Sequence, residues 1–177
     1  KVMKKVFAFV LTAAMLLSLA ACSTAAKTDR ADETPAAEQT QTDNTQIPNP
    51  WTEYASLDEA ENAAGFDCTI PDTIGGCSEK AFRVLDADGE TRLEVIYADG
   101  ETEIARVRKA PGTEDISGDY NAYDEQDVAV GDVTVTMKSA DGQVKLAIWQ
   151  DGGYTYAVSM EAGISADAMA ELVSQIG

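Results

Sequence analysis

Between residues 88 and 153 the chain repeats one pattern, a run of alternating apolar and polar residues closed by an Asp/Gly pair. The closing pairs are Asp88-Gly89, Asp99-Gly100, Gly131-Asp132, Asp141-Gly142 and Asp151-Gly152-Gly153. Asp and Gly tolerate the left-handed backbone of a two-residue hairpin, so such pairs between alternating runs turn each strand back on the last. Parallel neighbours would need crossovers of about a dozen residues or more, which these turns exclude. The runs align Leu93, Val95 and Tyr97; Val133, Val135 and Met137; Val144, Leu146 and Ile148; and Tyr154, Tyr156 and Val158. The spacing predicts an antiparallel β-meander with one apolar face.

A helical period replaces this pattern at both ends of the folded region. Ser56-Leu57-Asp58-Glu59 fits a capping box, Leu57, Ala60 and Ala64 share a face, and Gly65 supplies the stop. Ser165 caps a second stretch in which Met169, Leu172, Val173 and Ile176 form a buried stripe. The expected fold class is therefore α+β, a single domain over 48–177 with the N-terminal and C-terminal helices packed on one sheet face. One connection, 110 to 126, is longer than a hairpin turn and contains Tyr120 and Tyr123. Loops of that length are either functional or simple crossovers between strands.

The N-terminal region carries an address. Lys4 and Lys5 precede an apolar run that ends in Leu19-Ala20-Ala21-Cys22, the layout of a secretory leader. The last four residues resemble the bacterial lipobox, which makes residues 1–21 an expected signal peptide and Cys22 the expected lipidation site. The run is short of the roughly 20 apolar residues that a spanning helix requires. Residues 22–47 are rich in Ala, Thr, Gln, Asp and Glu and contain no aromatic, the composition of a disordered tether. The expected location is the extracytoplasmic face of the cell membrane, held by a lipid anchor.

Charge and composition exclude several classes. The chain has a net charge of −18, which repels nucleic acid. With no histidine, histidine-based triads, His-ligated zinc and histidine general bases are absent. With Cys22 assigned to lipid, Cys68 and Cys77 form an even pair in an oxidising compartment, and a disulfide between them is expected. The segment Asp86-Ala87-Asp88-Gly89-Glu90 fails as an EF-hand because Thr91 and Tyr97 stand where Gly and Glu are required, and Asp119-Tyr120-Asn121 fails likewise. Both read as turns. No metal site and no cofactor are expected.

The polar sheet face concentrates cations. Arg92, Arg106, Arg108, Thr134, Thr136, Lys138, Lys145, Trp149 and Thr155 alternate with the apolar positions. With Tyr120 and Tyr123 of the long connection, Arg106, Arg108, Lys138, Lys145 and Trp149 are the candidate partner-binding residues, suited to an anionic peptide or glycan. Exposed strand positions also take Thr, Lys and Arg simply to discourage edge pairing. Trp51 reads as a plug at the end of the core.

Asn49-Pro50-Trp51, Ser56-Leu57-Asp58-Glu59-Ala60, Glu94-Val95-Ile96-Tyr97, the run 104–110, the run 115–120 and Ala147-Ile148-Trp149 together resemble an uncharacterised family of small Gram-positive lipoproteins. Related domains occur at the extracytoplasmic end of some anti-sigma-factor-like proteins. The resemblance implies a location and an α+β fold but no reaction and no catalytic residues. The cysteine pair is not a feature of that family. The expected function is a non-enzymatic, monomeric binding or sensing module facing an envelope protein, peptide or glycan. A carrier or chaperone for an apolar molecule in a helix–sheet cavity is the alternative.

Overall fold

The computed structural model describes residues 49–177; the expected leader, Cys22 and the tether lie outside the described residues. Eight strands follow in chain order with a helix near each end: β1 (Trp51–Tyr54), α1 (Leu57–Ala64), β2 (Lys80–Ala87), β3 (Glu90–Asp99), β4 (Thr102–Pro111), β5 (Asp124–Val130), β6 (Val133–Ala140), β7 (Gln143–Asp151), β8 (Tyr154–Ile164) and α2 (Ala166–Val173). The predicted turn pairs close the hairpins. Asp88 and Asp141 both adopt positive φ, 56° and 53°, ahead of Gly89 and Gly142, the backbone that a two-residue hairpin requires.

Both helix ends form as their sequences dictate. The Ser56 side chain accepts from the Glu59 N–H at 3.2 Å, Glu59 accepts in return from the Ala55 N–H, and Gly65 at φ 81° ends α1. Ser165 accepts from the Ala168 N–H in the same way. Each helix is only eight residues long, so the protein is mainly β: an antiparallel sheet with two short helices. α1 lies against β1, β2 and β3, whereas α2 lies against β7 and β8.

The sheet departs from a simple meander. Its strand order is β1-β2-β3-β4-β8-β7-β6-β5, every pair antiparallel. Two four-stranded meanders therefore meet where β4 pairs with β8. The chain leaves β4 at the centre and re-enters at the far edge as β5, so residues 112–123 must cross the sheet past β8, β7 and β6. The long connection is this crossover.

A second departure arises within β7. Val144 pairs with Ser139 of β6 and Leu146 with Lys138, which leaves Lys145 as an extra residue without a partner in β6. A bulge of one residue reverses which face the following side chains occupy. Val144, Ala147 and Trp149 consequently join the main core with Leu93, Val95, Val107, Val158, Met169 and Val173, while Leu146 packs in a smaller cluster with Ala110, Ile116, Ala157 and Ile148. Trp149 is thus 4 % exposed and stacks on Tyr156, 5.2 Å between centroids, correcting the sequence expectation that it stands on the open polar face. The strict alternation of Val144, Leu146 and Ile148 fails for the same reason.

The cysteines are also corrected. Cys68 and Cys77 are free thiols, against the expected disulfide. The Gly75-Gly76 turn folds Cys77 back onto Ile74, where their backbones exchange two hydrogen bonds of 2.9 and 3.0 Å. The Cys77 thiol then donates to the Ala98 carbonyl at 2.7 Å, and Cys68 is buried. Burial pushes the Cys68 thiol up to about 11, although the Lys109 ammonium pulls the other way.

Candidate functional site

On β3 the parity that sends Leu93, Val95 and Tyr97 into the core sends Glu94 to the opposite face, beneath the crossover. Its register partners are Arg83 on β2 and Arg108 on β4. Glu94 is completely buried, a position that an ionised carboxylate tolerates only with partners. It has three. Arg83 Nε donates to Oε1 at 2.9 Å, Arg108 Nε to Oε2 at 2.7 Å, and Arg106 Nη1 lies 3.4 Å from Oε2. Trp51 roofs the cluster, with the Arg83 and Arg108 guanidiniums 5.3 and 5.9 Å from its ring. Trp51 is thus half-buried against cations rather than a core plug.

Arg108 links this cluster to the crossover. Its Nη1 donates to the carbonyls of Ile116, at 3.1 Å, and Ser117. Residue 118 passes so close that a Cβ there would stand 2.8 Å from Arg108 Nη1, and its φ is 65°, so glycine is required on both counts. Ile116 buries its side chain in the small cluster with Ala110, Leu146 and Ala157. Thr155 donates its hydroxyl to the Gly112 carbonyl at 2.8 Å, and Gln150 its amide to Thr113 at 2.9 Å. Residues 112–123 form a strap fastened across the face that the sequence suggests is open.

Arg108, expected on a binding surface, is 8 % exposed and already matched by Glu94. Burial lowers its pKa, with Glu94 opposing. Arg106, half-buried, also bonds Glu103, and these carboxylates raise its pKa against the effect of burial. Lys138 sits between Asp115 and Glu125 at 3.5 and 3.4 Å, and Lys145 donates to the Glu161 carbonyl at 2.8 Å. The cationic face is therefore largely neutralised from within.

Two of the expected residues do come together. A polar cleft of about 390 Å³ lies between the strap and β7–β8, lined by Asp119, Asn121, Tyr123, Lys145, Ser159 and Glu161 among others. Asp119 organises it, accepting from the Asn121 N–H at 2.9 Å and the Tyr123 hydroxyl at 2.7 Å. Tyr120 projects from the same stretch, 97 % exposed. Burial raises the Asp119 carboxyl, but the bonds from Asn121 and Tyr123 outweigh it and hold it low; Asp115 is held low by Ser117 and Lys138.

A pH dependence follows with a definite sign. A carboxyl depressed in the folded state stabilises fully above its unfolded value, about 3.9 for Asp, and loses that contribution as pH falls through the lower folded value. Protection of the Ser117 and Asn121 amides, taken relative to the intrinsic exchange rate at each pH, should therefore be unchanged between about pH 5 and 8 and fall below about pH 4, ahead of global unfolding. Strap exchange that tracks the core strands at every pH would contradict this.

Sequence reasoning missed Glu94, since one acid among 31 carries no signal until its cross-strand neighbours are known. It also missed Lys109, buried on the core side with its ammonium 4.7 and 4.9 Å from the Tyr154 and Tyr156 rings and donating to the Asp67 carbonyl at 2.7 Å. The alternation of β4 could have flagged that residue, because Ala105, Val107 and Lys109 share parity. Compared with known proteins, the chain matches no family model, and no curated protein or solved structure is significantly similar to it.

Proposed function

We propose that the protein is a non-enzymatic binding module, anchored through Cys22 to the extracytoplasmic membrane face, which uses the strap cleft to hold an envelope saccharide. The observation that carries this reading is Tyr120, a large ring 97 % exposed, whose chain neighbours Asp119 and Asn121 line a cleft of hydrogen-bonding side chains. A tyrosine ring stacks on the C–H face of a sugar, while amides, hydroxyls and carboxylates such as Asn121, Ser159 and Glu161 bridge its hydroxyls. Asp119 and Glu161 outnumber Lys145, which suits a neutral or amino sugar better than an anionic polymer.

The same reading has both helices on the sheet face opposite the strap. Ala60 of α1 and Met169, Leu172 and Val173 of α2 share one core with Leu93, Val95 and Val158, which supports it. Large side chains such as Leu93, Tyr97, Met137 and Met169 are fully buried in that interior, which argues for a ligand held at the surface rather than an apolar one carried inside. The membrane anchor rests on the leader and lipobox pattern at Leu19-Ala20-Ala21-Cys22.

Tyr120→Ala tests the site. Retention on purified wall glycan should fall several-fold, with folding stability unchanged to within about 0.5 kcal/mol, since so exposed a ring stabilises little. Equal retention by the variant and the wild type would remove the strap as the site, and selective retention on stem peptides would make the ligand a peptide.

A further inference from the structure

The two edges of the sheet are guarded differently. β1 is four residues long and follows Pro50, and a short strand or a proline blunts an edge against further pairing. β5, at the other edge, runs for seven residues in unbroken register with β6, from Asp124 opposite Ser139 to Val130 opposite Val133. It has no proline, no lysine and no bulge, and among the described residues β6 is its only partner strand. Alternate residues of such a strand aim their backbone N–H and C=O groups outward, the array to which a further strand adds.

The side chains of β5 define the kind of strand that fits. Gln126, Val128 and Val130 stand opposite Met137, Val135 and Val133, on the core side of the sheet, and the two valines are half-buried there. Glu125 and Asp127 alternate with them on the other face, and both are exposed. The Thr136 hydroxyl donates to Asp127 at 2.7 Å, and Lys138 is shared by Glu125 and Asp115 at 3.4 and 3.5 Å. One lysine among three carboxylates leaves this rim negative. Acids guard an edge only against strands of like sign, and a second copy of this acidic chain is one of those.

We propose that β5 is a docking edge for an extended cationic peptide segment of a partner protein. The segment adds as a further strand, its lysines or arginines beside Glu125 and Asp127 and its apolar side chains beside Val128 and Val130. Successive strand side chains point to opposite faces, so a partner that alternates cation and apolar residue matches both faces of β5 at once. Backbone bonds supply the pairing, and the alternation supplies the selectivity. This edge does not depend on the saccharide reading: Tyr120→Ala should bind the peptide as the wild type does.

A seven-residue peptide of alternating lysine and valine, blocked at both termini and titrated into the full chain, tests the edge. It should give saturable shifts at the Glu125, Asp127 and Ala129 amides and slow their exchange, less so as salt rises. Two further peptides separate pairing from charge. One is N-methylated at every residue and so lacks backbone donors; the other has all its lysines ahead of its valines. Both should bind about tenfold or more weakly, as should the alternating peptide to the Glu125→Lys, Asp127→Lys double variant. No saturable shift, equal binding by the N-methylated peptide, an undiminished response in the variant, or protection confined to other strands each overturns the proposal. The same protection of β5 in concentrated protein without peptide would make the occupant a second copy, and overturns it too. The peptide comparison is read in the wild type, so a variant that folds poorly leaves the test intact.

Discussion

Glu94→Ala should lower folding stability by about 3–5 kcal/mol, the cost of stripping the partner from buried charges. Glu94 is fully buried, and its two oxygens are shared among Arg83, Arg106 and Arg108. Removing it leaves three guanidiniums close together, with Arg108 10 % exposed at its side chain and unable to turn to water. The effect should spread to the strap, because Arg108 is also what holds the Ile116 and Ser117 carbonyls. Amides around Gly118 should exchange faster in the variant. Glu103→Gln is the control: Glu103 meets Arg106 at the partly exposed rim, and its loss should cost no more than about 1 kcal/mol. Urea unfolding with an unchanged slope measures both. A Glu94 variant within about 1 kcal/mol of wild type would mean that the cluster is well solvated, contrary to this structure.

Trp149→Ala is expected to cost about 3–5 kcal/mol, as for other buried aromatic truncations. The ring is 4 % exposed and lies parallel to Tyr156, with 6° between the planes. Their pairing across β7 and β8 is direct, so the truncation removes a stacked contact and opens a void beneath α2's half of the sheet. The number separates two placements of one residue. Were Trp149 on the strap face and exposed, as unbroken alternation implies, the same change would fall within about 0.5 kcal/mol. A near-neutral result would therefore restore the alternation and remove the bulge at Lys145.

These two residues mark where the sequence ceases to be legible. Turn chemistry is local: Asp88-Gly89 and Asp141-Gly142 take up their backbone whatever surrounds them, so the hairpins could be read. Helix caps are local too, and Ser56, Gly65 and Ser165 act as their neighbours dictate. The strand face of any residue is local only while the alternation is unbroken. One extra residue at position 145 reversed it for Trp149, and nothing in Gln143-Val144-Lys145-Leu146 announces that extra residue. The strap was visible as a long connection with two tyrosines, but its direction depends on β4 choosing β8 over β5 as neighbour. Once it crosses the sheet, Arg108 changes from a surface cation into a buried latch, while Tyr120 remains exposed.

What the sequence by itself determined is each step of a few residues: antiparallel hairpins, two capped helices, and a face rich in cations. These depend on backbone preferences and spacing that act within a turn. Only the tertiary structure decided which carboxylate meets those cations, which face Trp149 occupies, that Cys68 and Cys77 remain free thiols, and that the strap covers the polar face. Each of those depends on strand order and register, where contacts between residues far apart in the chain outweigh any local preference.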